Sequence, residues 1–355
     1  MKWLLHNRTI RGLTMVLLSV ILAMTVGSVV MALSGHHPVK VFIALFKGAF
    51  LGKRNIFTSL QRATPLMFTS LAAVFAFRTG LFNLGIEGQF TLGAIMGTYI
   101  GFAVPGLPPL FHVFLALGAA VLAGGLWAAI PGALKVWLGA NEVIITIMFN
   151  YLARFGVSYL VNYPWRESAV APMTPLVRPS AELTRLAERT QFNTGFFIAV
   201  AVVILAAFLL ARTTLGYELR NVGSAPRFAL FGGLPVKRIA LTGMVLSGAF
   251  AGLGGGIEIL GVHRRFIEEF SVGLGFDGIL VALLGKRNPI GALFASVFYG
   301  GLKSGALAME WTSEVPRELI GTIVSIIIFF LAAEGIFSFL WSLNRPESRE
   351  IIKDA

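Results

Sequence analysis

Asn83, Glu87 and Gln89 are the residues that most demand an explanation. They fall in "FRTGLFNLGIEGQFTLG" (Phe77–Gly93), where the apolar run Leu66–Phe77 reaches Arg78 and a glycine-rich, polar-flecked stretch precedes the next apolar run. An ionisable group within a membrane span is costly and ordinarily faces a cavity or the bundle interior. Asn141, Glu142 and Asn150, then Glu258, Asp277 and Lys303, stand at similar places. If 141–162 is helical, Glu142 and Asn150 share a face, and Arg154 extends it by one turn. A polar stripe facing inward is what a hydrophilic solute needs along its route. Asn83, Glu87, Gln89, Asn141, Glu142, Asn150, Glu258 and Asp277 are therefore the candidate substrate pathway. Blander readings stay open for single members. Glu142 can sit at a helix start with Asn141 as its cap, and Arg78 and Glu87 can mark water-exposed ends.

Chemistry of other kinds finds no residues. There is no GxxxxGK[ST] phosphate loop, and Gly285-Lys286-Arg287 and Leu302-Lys303-Ser304 both fail that pattern. HExxH, GxSxG and paired-histidine spacings are missing, and His6, His36, His37, His112 and His263 are scattered. Without cysteine there is no disulfide, zinc-thiolate site or cysteine nucleophile. The expectation is a chain that is not an enzyme and has no cofactor and no metal.

The elements that must position the polar residues are membrane spans. Of 355 residues 56% are hydrophobic and 13% charged, against roughly 25% charged in soluble domains; mean hydropathy is +0.80. Several apolar stretches reach the roughly 20 residues that cross a hydrocarbon core. Apolar runs and punctuation place spans near 12–33, 64–77, 88–104, 109–131, 141–162, 193–211, 239–262, 275–285, 289–305 and 317–341. The runs at 64–77 and 275–285 are short and glycine-interrupted, which suggests broken or re-entrant helices. The fold class is an all-α polytopic membrane protein of about eight to ten crossings. The basic start "MKWLLHNRTIRG" precedes an apolar run longer than a signal-peptide core, so an uncleaved first helix is expected. Glycine clusters such as "GAFAGLGGG" (248–256) suit close helix packing.

A net charge of +12 fits basic loops that set topology, and no nucleic-acid role is read from it. The positive-inside rule puts the N-terminus in the cytoplasm, with Lys2, Arg8 and Arg11. The same side receives Arg212, Arg220, Arg227, Lys237, Arg238, Lys286 and Arg287, and the tail's Arg345, Arg349 and Lys353. Residues 34–63 fall outside in this scheme despite Lys40, Lys47, Lys53, Arg54 and Arg62. Their broken apolar face reads as an interfacial segment lying on the membrane. Residues 163–192 form an external loop, proline-rich at its start and with a short helical stretch at its close; it is a cap, a docking surface or a connector. The basic loop 212–238 holds a short amphipathic segment, Ala225–Phe231, stopped by Gly232-Gly233. It suits a groove on a cytoplasmic partner, or is an ordinary positive-inside loop.

Four ordered motifs carry a resemblance over roughly residues 10–340. "FRTGLFNLGIEGQ" (77–89), "GANEVIITIMFNY" (139–151), "LRNVGSAPRFALFGGLPVKR" (219–238) and "GFDGILVALLGKRNPIG" (275–291) resemble permease subunits of bacterial ABC importers. The group is the ribose-type sugar and branched-chain amino acid permeases, and the first two phrases are most similar to the nucleoside-importer permeases. The resemblance implies a single transmembrane permease domain over 1–355 with the type II, vitamin B12-importer-like fold. It further implies a second permease, often a paralogue, cytoplasmic ATP-binding subunits and an extracytoplasmic solute-binding protein, all at the bacterial cytoplasmic membrane. The solute would be a nucleoside, with sugars or branched-chain amino acids as the alternative. An ion-coupled secondary transporter using the intramembrane acids is the rival from outside the family. In the 219–238 stretch, Arg220, Asn221, Gly223, Ala225, Pro226, Ala229 and Gly233 match the ATPase-coupling loop. Ser224-Ala225 departs from the family, which often has an acidic residue or asparagine there. Asn83, Glu87 and Gln89 would then mark a helix break facing the pathway, as polar solute contacts in transporters do.

Overall fold

The computed structural model describes residues 8–167, 171–312 and 317–332. Lys2, the tail cations Arg345, Arg349 and Lys353, and the end of the 317–341 span lie outside them. The described residues form helices, turns and loops without a strand, and the chain divides into two compact units.

The unit of residues 1–52 and 302–355 contains α1 (Arg8–Leu33), α2 (Pro38–Phe50), the end of α12 (Pro289–Thr312) and α13 (Arg317–Ala332). Pro38 starts α2, where a missing N–H costs nothing. Val41, Phe42, Leu45, Gly48 and Ala49 recur every three or four residues and are buried, whereas Lys40 and Lys47 face outward. Gly48 and Gly305 let α2 and α12 approach until a β-carbon on either would press on the other helix.

The unit of residues 53–301 holds the rest: α3 (Lys53–Arg78), α4 (Ile86–Ala103), α5 (Pro109–Leu138), α6 (Glu142–Asn162), α7 (Gly195–Arg212), α8 (Thr214–Ser224), α9 (Pro226–Phe231), α10 (Val236–Glu258), α11 (Leu274–Leu284) and the start of α12. The central helix is α10, which packs on α5, α4 and α3. Its glycines are a packing seam: a methyl on Gly248 or Gly252 would collide with the Gly124 or Ala120 carbonyl of α5. Among the described residues, five helices or helical runs are long and apolar enough to cross a membrane: α5, α6, α7, α10 with its π turn (Ile259–His263), and Pro289–Glu310 of α12. The architecture is that of an all-α polytopic membrane protein.

Two expectations change. The short run at 64–77 is the second half of the continuous 26-residue α3, which is buried from Ala63 to Ala76. Lys53, Arg54, Gln61 and Arg62 lower the hydropathy of its first half and hid it. In the 163–192 loop a 3-10 turn at Pro179–Ala181 is followed by extended chain and turns, with an Arg185–Asn193 bridge where a helical stretch was expected. This loop braces residues 264–267, because Thr174 N donates to the Phe266 carbonyl at 3.0 Å and Val177 N to that of Arg264 at 2.8 Å.

Candidate functional site

Two helices of the larger unit begin after irregular chain, and each start is capped by side chains from elsewhere. The first is α4, entered through residues 79–85. Asn83 Nδ2 donates to Gln89 Oε1 at 2.9 Å and Gln89 Nε2 donates back to Asn83 Oδ1 at 3.2 Å. Asn83 also donates to Ser247 Oγ on α10 and accepts from Gly85 N, both at 2.9 Å. All three side chains are buried, so this is a closed amide knot. Asn150 on α6 completes the cap, accepting from Gly88 N at 2.8 Å and donating to the Leu84 carbonyl at 2.7 Å. Thr146, one turn earlier, accepts from Leu84 N. Irregular backbone inside a membrane protein needs such partners, because lipid supplies none.

The second start is α11. Residues 264–273 follow the π turn, with left-handed backbone at Arg264, Glu269 and Gly273. Glu87 then accepts from Gly273 N through Oε1 at 2.9 Å and from Gly275 N through Oε2 at 2.5 Å. A carboxylate on first-turn amides meets both their hydrogen-bond demand and the positive end of the helix dipole.

Between these starts and α6 lies a cavity of about 190 Å³. Glu87, Asn150, Tyr151 and Phe276 line it, and Arg154, Ser158 and Glu268 line it farther along α6 or beside its end. Phe276 and Tyr151 are 46% and 55% exposed, large for aromatic rings among packed helices. Phe270 also lines the cavity, held edge-on by Phe266 and His263. Arg154 pairs with Glu269. Glu268 Oε2 accepts from Asn162 Nδ2 at 3.2 Å.

Of the eight pathway candidates the cavity gathers Glu87 and Asn150. Asn83 and Gln89 are buried behind it. Asn141 caps α6, accepting from Val143 N at 3.0 Å, and Glu142 pairs with Lys135 at 2.7 Å, so both sit at the α5–α6 junction. Glu258 is buried, 3.7 Å from His263 and within reach of the Arg62 charge. Asp277 accepts from the Tyr299 hydroxyl. Sequence reasoning passed over Ser158, Glu268 and Phe276. Ser158 continues the four-residue spacing from Asn150 through Arg154. Glu268 and Phe276 carried only a weak signal, two acids set among phenylalanines in "RRFIEEFSVGLGF".

In the 212–238 loop, α8 precedes the shorter α9. Pro226 is the first residue of α9, after Ala225, and Gly233 follows it at φ +80°. Ala229 is buried, so the outward surface of α9 is Phe228, Leu230 and Phe231, at 75%, 63% and 90% exposure. Gly223 packs on the Arg78 carbonyl, while Arg220 is exposed and Asn221 donates to the Tyr217 carbonyl at 2.9 Å.

Buried caps at interrupted helices, a cavity beside them and an all-helical membrane fold describe a transport protein. Residues 55–333 match the family described as branched-chain amino acid transport system / permease component, and the chain belongs to that family. Among its relatives, it is 36% identical to the guanosine ABC transporter permease protein NupP of Bacillus subtilis over 91% of this chain and 94% of that protein. It is 31% identical to the nucleoside ABC transporter permease protein NupB of Lactococcus lactis, over 95% and 94%. The glucose ABC transporter permease protein TsgB13 of Haloferax volcanii is 33% identical over 90% and 87%.

Proposed function

We propose that the chain is the permease subunit of an ATP-driven importer and that its solute is a nucleoside. Family membership supports the permease role, and the relatives named for guanosine and nucleosides support the solute. The observation that carries the reading is the cavity at the two capped helix starts. It offers aromatic faces to a base and hydrogen-bonding groups to a sugar, while the caps keep the irregular backbone satisfied.

In this reading α1, α3, α4, α5, α6, α7, α10, α12 and α13 cross the bacterial cytoplasmic membrane in the type II arrangement, the short α11 does so only together with the irregular chain before it, and the N-terminus is in the cytoplasm. The end bearing Arg78, Arg220 and Arg287 faces inward, and α2 lies at the outer interface. The exposed apolar face of α9 docks on a cytoplasmic ATP-binding subunit, where hydrolysis occurs. A second, paralogous permease completes the pore, and a solute-binding protein delivers from outside.

The test is uptake in proteoliposomes. The chain with its second permease, ATP-binding subunit and solute-binding protein accumulates guanosine only with ATP. Accumulation by the chain alone under a proton or sodium gradient contradicts the reading and favours an ion-coupled transporter.

A further inference from the structure

Glu87 and Asn150, the two pathway candidates that line the cavity, have little left to offer a solute. Both Glu87 oxygens are held by Gly273 and Gly275 amides, and the Asn150 amide is engaged at both ends by Gly88 and Leu84. They build the wall. Other residues must read the solute.

Position along α6 orders those others. Tyr151 and Ser158 are seven residues apart on it, about 10 Å at 1.5 Å per residue. The Tyr151 level holds exposed aromatic surface, with Phe276 from α11. Near the Ser158 level stands Glu268, fixed by Asn162 through Oε2, with no donor at Oε1 among the described residues. Its neighbour Glu269 is neutralised by Arg154. An ionised carboxylate only accepts hydrogen bonds, and its paired oxygens suit two adjacent hydroxyl donors. The flat face of a base is the most apolar surface of a nucleoside and stacks on aromatic rings.

Resting on the nucleoside reading above, we infer that Glu268 is a specificity-determining residue that binds the vicinal 2′- and 3′-hydroxyls of the ribose, with the base stacked at the Phe276 and Tyr151 level. The site therefore distinguishes ribonucleosides from 2′-deoxyribonucleosides. Asn162 is a positioning residue, since it orients the carboxylate without itself lining the cavity.

The experiment measures ATP-dependent uptake of guanosine, 2′-deoxyguanosine and adenosine by the complete reconstituted complex. Wild-type protein prefers guanosine to 2′-deoxyguanosine. Glu268→Gln, which keeps the shape and can still accept from Asn162, lowers that preference by roughly tenfold, the worth of one charge-assisted bond. Glu268→Asp restores part of it. Asn162→Ala retains the carboxylate but frees it, and lowers the preference by less. An unchanged preference in Glu268→Gln overturns the inference and leaves nucleoside transport standing. Equal loss of guanosine and 2′-deoxyguanosine with adenosine spared also overturns it, because the carboxylate would then be reading the guanine edge. If wild-type protein imports no nucleoside at all, the proposed function itself fails.

Discussion

At residues 79–85 the chain enters α4 through neutral amides that are buried and bonded to one another, whereas at residues 264–273 it enters α11 beneath a single half-buried carboxylate. The first start is tied at several points: Asn83 to Gln89, Ser247 and Gly85, and Asn150 to Gly88 and Leu84. The second is braced farther back, at Arg264 and Phe266, but its last step into α11 is capped by Glu87, follows three left-handed residues and borders the cavity. A network with redundant bonds resists opening. A cap of one side chain on two amides opens when that side chain moves. The contrast assigns rigidity to the α4 start and adaptability to the α11 start.

The largest effect is expected where the second start rests on one residue. Glu87→Ala leaves two half-buried amides without partners, at about 1–3 kcal/mol each, and lowers both melting temperature and uptake. Glu87→Gln keeps one acceptor oxygen and loses the charge, so it falls between wild type and Ala. Equal melting temperatures for all three would remove Glu87 from its role as cap. Next comes the amide knot. Gln89→Ala strips Asn83 of one donor and one acceptor at about 1–3 kcal/mol. Its melting point drops while the guanosine-to-deoxyguanosine preference holds, because the knot lies behind the cavity. A changed preference would show that the α4 start is part of the solute surface.

These cases show what sequence could and could not reveal. Residue type marked Asn83, Gln89 and Glu87 as candidate pathway residues, and the structure sets Glu87 on the cavity and buries Asn83 and Gln89 behind it. Their partners were not legible, because Asn83 meets Gln89 across a break that no helical period spans, and Glu87 meets amides some 186 and 188 residues away. Asn150 and Arg154 share the four-residue spacing of α6, which is why that face could be read. Glu268 and Phe276 lie in or just after irregular chain, where side-chain direction follows from tertiary contacts. The helix stop at Gly233 was legible from local chemistry alone, and α8 was not, since its buried residues Gly216, Leu219 and Val222 make a narrow stripe. Likewise Ala229, matched by resemblance to the ATPase-coupling loop, is buried, and Phe228, Leu230 and Phe231 face outward.

Away from both helix starts the effects shrink. Gly233→Val forces a β-branched residue to φ +80°, a cost of about 1–3 kcal/mol. It leaves ATP-binding subunit co-purification intact and reduces solute-stimulated hydrolysis; normal stimulation would remove this exit from the coupling path. The smallest change is Glu142→Gln. Its pair with Lys135 is partly exposed at a helix junction and contributes about 0–1 kcal/mol. Uptake stays within twofold of wild type. A loss near that of Glu87→Ala would return Glu142 to the solute route.

Hydrogen exchange on the assembled importer tests the difference between the two helix starts most directly. Peptides covering residues 80–92 and 264–277 are followed with and without guanosine. The account predicts slow exchange at 80–92 in both conditions, and faster exchange at 264–277 that slows when guanosine binds. Equal protection of both segments, or a guanosine response confined to 80–92, would contradict it.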